Sequence, residues 1–233
     1  MRADNKLSPP RRFAWPLIDP AQVDRAIAST ALLWAHEEYR QLLAAPRAKK
    51  LDLPWLNRFV RRWGVARTIT SDEGSRNKML EYLNGAFQRS IPADPGKAVD
   101  NAASEIVARG WGVKKPKGQA GRPISFASKI GFFLFPDLLV PMDGSSTDGL
   151  NRLRGIVRDG GRGRLDGKTY STYLTAFNDA YEQYRGQIKS QCNAPWVDAV
   201  AKHFGIDGAA TASVAFLRKT FDNVLMIQGG RDI

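Results

Sequence analysis

The sequence is poor in the residues that build metal centres and disulfide bonds. Its 233 residues include one cysteine, Cys192, and two histidines, His36 and His203, that lie far apart. A single cysteine excludes an internal disulfide and a cysteine-rich zinc or iron–sulfur site. The histidines form neither an HxH nor an HExxH spacing. We therefore expect no bound metal and no other cofactor.

Long apolar runs are also missing from the sequence. No stretch approaches the ~20 apolar residues that a membrane-spanning helix requires. The N-terminal stretch "MRADNKLSPPRRFAWPLIDP" lacks the continuous apolar core of a signal peptide. These absences predict a cytoplasmic protein that has no membrane partner.

What the sequence has in excess is positive charge. Lys and Arg together number 35 against 23 Asp and Glu, which gives a formal net charge of +12 at pH 7. A charge of this size favours polyanions, so we expect the protein to bind a nucleic acid. Cationic residues in loops and at helix ends suit phosphate contacts. The basic residues at such positions include Arg61, Arg62, Lys114, Lys115, Lys117, Arg122 and Arg152.

Helical periodicity dominates the sequence, whereas the alternation that is typical of strands is scarce. The pattern predicts an all-α fold of eight or nine helices. The first predicted helix runs without a break over residues 20–45, and the last runs over residues 210–228.

Proline- and glycine-rich segments predict the domain organisation. Residues 1–19 form a proline-rich leader, and residues 20–233 form a single all-α domain. Two segments rich in glycine and basic residues, at 115–121 and 160–168, are alternative positions for a boundary between two lobes of that domain.

One stretch, "GRPISFASKIGFFLFPDLLVPMDGSS" over residues 121–146, combines an apolar helix with two charged residues of interest. Lys129 lies within the helix, and Asp143 follows a proline-punctuated link. Burial would disfavour the ammonium form of Lys129 and make its amine nucleophilic, although a lysine can also extend from a buried helix to solvent. Asp143 has the position of a helix N-cap, and a carboxylate there can also stabilise positive charge on a substrate.

This stretch resembles the helix–hairpin–helix DNA glycosylase superfamily. Those enzymes have a "GxGxxTA" hairpin and helix, an extended "PVD" or "LDG" link, and a catalytic aspartate where the next helix begins. Here "GRPISFA" occupies the hairpin position and "LVPMDGSS" the aspartate loop. The chain also resembles bacterial 8-oxoguanine-glycosylase-like proteins, which carry an "SFxSK…P…DS" signature. The resemblance implies a two-lobed architecture, double-stranded DNA as the partner, and cleavage of the N-glycosidic bond of a damaged or modified base. It also leads us to expect a monomer that is associated with the nucleoid.

The resemblance implies that Asp143 stabilises the oxocarbenium-like sugar, and it leaves two assignments of the nucleophile. In bifunctional members a lysine precedes the aspartate by roughly eighteen residues, and without a gap that position is Ser125. A serine there is similar to the adenine-mismatch glycosylases, which use water. A helix and loop shorter by four residues make Lys129 the nucleophile instead. Ser125 and Lys129 are one turn apart, so we expect them on one helix face.

The resemblance also assigns substrate or DNA contacts to the hairpin and to both helices that flank the link. These residues are Gly121, Arg122, Ser125, Ser128 and Ser145, together with Lys114, Lys115, Lys117 and Arg152. Pro123 replaces the second hairpin glycine, which favours an alternative function as a DNA-binding protein without catalysis on the same scaffold. A third alternative is the processing of modified bases in phage defence.

Three residues late in the chain are further candidates for the pocket or for a wedge. They are Phe221, Asp222 and Asn223, within a predicted apolar helix. Helix capping or surface exposure explains the two polar residues equally well.

Overall fold

The computed structural model describes residues 15–44, 50–88, 93–113, 123–156 and 164–233. These residues form an all-α fold, which confirms the predicted fold class, and their one pairing of extended backbone is an isolated bridge between Ile69 and Gly112. None of the described helices is long and apolar enough to span a membrane. The helices are α1 (Pro20–Ala35), α2 (Glu37–Ala44), α3 (Leu53–Arg62), α4 (Glu73–Gln88), α5 (Pro95–Ala108), α6 (Ile124–Leu134), α7 (Gly144–Leu153), α8 (Tyr170–Cys192), α9 (Pro195–His203), α10 (Gly208–Thr211) and α11 (Val214–Gln228).

Two predicted helices are each divided in the structure, so the described residues contain eleven helices rather than eight or nine. The first divides at His36, whose backbone is extended (φ −77°, ψ 110°). This break directs α2 toward α6, where the ring of Tyr39 stacks on Phe133 with their centroids 5.0 Å apart. The last divides at Ser213, whose hydroxyl accepts a hydrogen bond from the backbone N–H of Phe216 and caps α11. A continuous apolar pattern cannot reveal either break.

Helix α6 lies at the centre of the core. Every residue of α6 except Ser125 is buried. Its Phe133 ring lies among aromatic side chains of α2 and α3, with centroids 6.3 Å from Trp55 and 5.8 Å from Phe59. The aromatic packing encloses α6, so the lysine in its middle is enclosed as well.

Helices α7 and α11 pack with their backbones in contact at Gly149. A Cβ atom on Gly149 would lie 1.9 Å from the backbone oxygen of Leu225, a distance that no side chain can occupy. This close approach brings the first turn of α7 beside the last turns of α11. Residues from the middle and from the end of the sequence therefore meet around Asp143.

The predicted domain boundaries fall largely outside the described residues. The segment 115–121 and residues 160–163 are not described, so a division into two lobes stays a prediction. The end of the predicted leader packs on α8, because the hydroxyl of Tyr184 donates a hydrogen bond to the backbone oxygen of Pro16 at 2.6 Å. Ile18 is buried beside it.

Candidate functional site

A cavity of about 400 Å³ brings together residues from five parts of the chain. It lies between α1, the C-terminus of α3, α6, the link before α7, and α11 with the residues that follow it. Lys129 and Asp143, which the sequence singles out as a pair, both line this cavity. The cavity is also lined by Trp63, Lys219, Asp222 and Arg231.

Lys129 is buried inside the protein, with 6% of its surface exposed. Its ammonium donates a hydrogen bond to the backbone oxygen of Trp63 at 3.2 Å and lies 5.8 Å from the centre of the Trp63 ring. Trp63 caps the C-terminus of α3, where carbonyl groups lack helical partners and carry the negative end of the helix dipole. Burial lowers the pKa of Lys129, and the carboxylates of Asp143 and Asp222 oppose this shift. The interpretation in which Lys129 extends to solvent is therefore wrong.

Asp143 caps α7 and still presents a carboxylate oxygen to another partner. Its Oδ1 accepts a hydrogen bond from the backbone N–H of Ser146 at 2.9 Å, and the Ser146 hydroxyl accepts one from the backbone N–H of Asp143 at 3.0 Å. Its Oδ2 accepts a hydrogen bond from the guanidinium of Arg231 at 3.1 Å. The N-cap interpretation is thus confirmed, but it engages only one carboxylate oxygen.

Arg231 reaches Asp143 because α11 ends in a Schellman motif. Gly230 has a positive φ of 89°, which favours glycine, and its N–H donates to the backbone oxygen of Ile227 at 2.9 Å. The N–H of Arg231 donates to the backbone oxygen of Met226 at 3.0 Å, so the chain turns back over the cavity. Sequence reasoning missed Arg231. The Gly-Gly-Arg run after an apolar helix is a C-cap signal that could have drawn attention to it.

Helix α11 places a buried ion pair on the cavity wall. Lys219 and Asp222 are 4% and 1% exposed, and Nζ of Lys219 lies 2.7 Å from Oδ2 of Asp222. The ammonium also donates to the side-chain oxygen of Asn223, whose amide nitrogen donates to the hydroxyl of Thr30 at 3.0 Å. Burial raises the pKa of Asp222, and the neighbouring Lys219 opposes the rise. Surface exposure therefore does not explain Asp222 and Asn223.

Phe221 lies in the core and does not line the cavity. It is fully buried, and its ring lies 5.2 Å from that of Phe177 and 5.9 Å from that of Tyr181. Such a residue cannot enter DNA without unpacking α11 from α8, so the structure gives it a packing role.

The two serines of α6 have different surroundings. Ser128 is fully buried, and its hydroxyl accepts a hydrogen bond from the backbone N–H of Met142 at 3.0 Å, which fixes the link immediately before Asp143. Ser125 lines a second cavity of about 340 Å³, which Asp143 also lines. Ser125 and Lys129 thus border different cavities, and Asp143 borders both.

The remaining predicted contact residues that the structure describes lie on α7, and two further basic residues lie at the end of α3. Ser145 is half-buried in the first turn of α7. Arg152 is exposed, and its guanidinium donates a hydrogen bond to the backbone oxygen of Gln228 at 2.7 Å, which fastens α7 to the end of α11. Arg61 and Arg62, in the last turn of α3, line the cavity. The predicted contacts at Gly121, Arg122, Lys114, Lys115 and Lys117 lie outside the described residues.

Neither a group of metal ligands nor a similar known protein narrows the chemistry of the site. Within the described ranges, no three His, Cys, Asp or Glu side chains are grouped so that they could hold a metal ion. Comparisons with protein-family models, with curated proteins and with solved structures found no match to this chain.

Proposed function

We propose that this protein binds double-stranded DNA and cleaves the N-glycosidic bond of a damaged or modified base, in the manner of the helix–hairpin–helix DNA glycosylases that residues 121–146 resemble. One observation carries the proposal. A buried lysine of lowered pKa, Lys129, and the carboxylate of Asp143 line the same cavity. This pair can supply a nucleophile and a stabilising charge, and with water as the nucleophile the carboxylate still supplies the charge.

The dimensions and the charge of the cavity suit a nucleotide turned out of the duplex. Its volume of about 400 Å³ is within the range of small-molecule sites, roughly 300–1,000 Å³. Arg61 and Arg62 at its edge supply the cationic contacts that hold a phosphate backbone. An enzyme that acts on a base has to extrude that base into such a pocket.

Asp143 acts on the sugar in this proposal. As the base departs with the electrons of the glycosidic bond, positive charge develops on the deoxyribose, and the fixed carboxylate stabilises that charge. Two hydrogen bonds at Ser146 hold Asp143 in place before the substrate arrives. Arg231 is 52% exposed at its side chain, so a DNA phosphate can draw its guanidinium away from Oδ2.

The proposal leaves two nucleophiles open, the amine of Lys129 and a water molecule. In the first assignment the neutral amine of Lys129 attacks C1′, the base leaves, and a proton of the amine passes to Asp143. Asp143 then returns this proton to the ring oxygen O4′ as the C1′–O4′ bond breaks, which gives the protonated Schiff base. In the second assignment a water in the cavity beside Ser125 attacks C1′ and gives its proton to Asp143, which borders that cavity as well.

The experiment that tests the proposal is base release and borohydride trapping on duplexes with single oxidised, alkylated, deaminated or abasic sites. Lys129→Ala and Asp143→Asn are compared with wild type. Lys189→Ala removes an exposed lysine of α8, and Asp94→Asn alters another N-cap aspartate, that of α5, so these two serve as controls. Asparagine caps helices as well as aspartate does, so Asp143→Asn keeps the fold.

We expect Asp143→Asn to abolish base release and to leave DNA binding nearly intact, whereas both controls act like wild type. A trapped complex that only Lys129→Ala removes assigns the lysine as nucleophile. Base release that leaves an alkali-labile abasic site, without a trapped complex, assigns water as the nucleophile. A full rate of release in Asp143→Asn would contradict the proposal under either assignment.

A second candidate function is DNA binding without catalysis. It is favoured because both carboxylate oxygens of Asp143 already accept hydrogen bonds, one from Ser146 and one from Arg231. DNA binding without base release from any duplex of the series would support this second candidate.

A further inference from the structure

The buried pair of Lys219 and Asp222 has no part in the chemistry proposed above. Both residues line the cavity that contains Lys129 and Asp143, and both are on consecutive turns of α11. Burying two charges costs free energy, because each charge loses its hydration. Only complete hydrogen bonding within the protein offsets that loss. Native proteins therefore hydrogen-bond nearly all the polar atoms of such a pair, and an atom without a partner calls for an explanation such as a bound water, an ion or a functional role.

The hydrogen bonds of this pair are incomplete. Oδ1 of Asp222 is buried and has no hydrogen-bond partner among the described residues. The ammonium of Lys219 carries three N–H groups, and its described acceptors are Oδ2 of Asp222 and the side-chain oxygen of Asn223. Asp222 thus keeps one acceptor and Lys219 one donor that no described residue uses, and both residues line the cavity.

The rest of the pair is held rigidly. Asn223 donates to Thr30 at 3.0 Å, and Thr30 itself donates to the backbone oxygen of Ala26 at 2.8 Å, so α1 fixes the position of the α11 side chains. A fixed donor beside a fixed acceptor can recognise the edge of a planar ring. The hydroxyl of Tyr173 also lacks a partner in the described part of the chain, but Tyr173 does not line the cavity.

We propose that Lys219 and Asp222 read the hydrogen-bonding edge of the base that enters the cavity, with Lys219 donating to a ring carbonyl and Asp222 accepting from the adjacent ring N–H. The inference rests on the proposed function and deepens it, because it names the class of base. A ring carbonyl oxygen is a stronger acceptor for an ammonium than a ring nitrogen is. A lactam N–H is likewise more acidic than the N–H of an aromatic amine. The selected class is bases with a lactam edge, such as hypoxanthine and uracil.

The test measures binding rather than cleavage. Duplexes carry one 2′-fluoroarabino nucleotide, which resists glycosidic cleavage, opposite an abasic spacer so that no test base is paired. The bases are hypoxanthine, 1-methylhypoxanthine and adenine. Methylation at N1 removes the N–H that faces Asp222 and keeps the rest of the ring. We expect wild type to bind the hypoxanthine duplex at least about tenfold more tightly than the other two, since hydrogen bonds to charged groups are among the strong ones.

The decisive variant replaces both charges at once. Lys219→Met combined with Asp222→Asn leaves no uncompensated ion and retains the side-chain volumes, so the fold survives. We expect this double variant to bind the three duplexes within about threefold of one another. Asn178→Ala is the matched control, because Asn178 accepts a hydrogen bond from Arg218, another buried cation of α11, at 2.9 Å and lies outside the cavity. It should keep the wild-type preference, and thermal melts should show that both variants are folded.

The outcomes separate this inference from the function on which it rests. Equal wild-type binding of hypoxanthine and 1-methylhypoxanthine, or a preference that persists in the double variant, would overturn the inference even if bases are excised. A preference that depends on Lys219 and Asp222 in a protein that releases no base would uphold the recognition site and contradict the glycosylase function.

Discussion

The guanidinium of Arg231 lies 3.1 Å from Oδ2 of Asp143, although the two residues are 88 positions apart in the sequence. The contact joins the N-terminus of α7 to the residues that follow α11, and it closes one side of the cavity. Arg231 also acts on Lys129 through space, since its positive charge lowers the pKa of that lysine. One arginine therefore influences both groups of the proposed chemistry.

Replacing Arg231 should move the pH dependence of covalent trapping. In Arg231→Gln the ammonium of Lys129 loses a repulsive neighbour, so its pKa rises and the neutral amine forms only at higher pH. If Lys129 is the nucleophile, the pH–rate profile for borohydride trapping shifts to higher pH, and the shift is larger at low ionic strength. Arg185→Gln, which removes an exposed arginine paired with Glu182 of α8, should leave the profile unchanged. A profile that does not move, or moves to lower pH, contradicts this coupling.

The hydroxyl of Ser128 should matter for the position of Asp143. In Ser128→Ala the buried N–H of Met142 loses its acceptor, which costs about 1–3 kcal/mol of stability. The link before Asp143 is then free to shift, and a misplacement of about 1 Å can slow an enzyme about a hundredfold. We expect slower single-turnover base release with little change in DNA affinity. Ser190→Ala, on the exposed surface of α8, serves as the control. Equal loss of affinity and rate would assign Ser128 to DNA binding instead.

The part of the site that could be predicted from the sequence is the part that is local in the sequence. Lys129 and Asp143 belong to one helix and the link that follows it, and their periodicity and capping pattern place them close together. The residues of α11 depend instead on how α7 packs against it through Gly149, a contact between distant segments that periodicity cannot show. Asp222 could be noticed only as a polar residue in an apolar helix.

The same limit explains the errors in the predicted helices. The apolar pattern continues across His36, so it predicts one helix, whereas the packing of Tyr39 on Phe133 requires a change of direction there. Ser125 and Lys129 are correctly placed one turn apart on α6. Their separation into two cavities arises from the link that carries Asp143, which no helical pattern describes.

The close contact of α7 and α11 predicts a large effect of one methyl group. In Gly149→Ala the new Cβ would lie 1.9 Å from the backbone oxygen of Leu225, so the two helices have to move apart. We expect a loss of about 3 kcal/mol in the free energy of unfolding, measured by urea denaturation. Gly186→Ala is the matched control, because a Cβ on that helical glycine of α8 meets nothing within 4 Å. It should be neutral or stabilise by up to about 1 kcal/mol. Similar midpoints for the two variants would contradict the close packing.

The burial of Lys129 predicts that the protein becomes more stable when the lysine is removed. Burial holds the pKa of Lys129 below its usual 10.5, so between the lowered value and 10.5 the unfolded chain binds more protons than the folded one. Stability therefore rises with pH across that window, and the ionised lysine destabilises the fold below it. Lys129→Met removes this penalty, and we expect it to stabilise the protein at pH 7 by about 1 kcal/mol or more.

The gain in Lys129→Met should shrink as the pH rises toward 10.5, because the lowered pKa lets the folded wild-type lysine lose its proton at a lower pH than the unfolded one. Urea unfolding of wild type and variant at pH 7 and pH 10 measures the difference, and Lys189→Met on the exposed surface should show none. A gain at pH 7 together with the loss of borohydride trapping indicates that the buried lysine is retained for chemistry at the expense of stability. If Lys129→Met destabilises the protein at pH 7, the hydrogen bond to Trp63 outweighs the burial of the charge, and Lys129 is a structural residue.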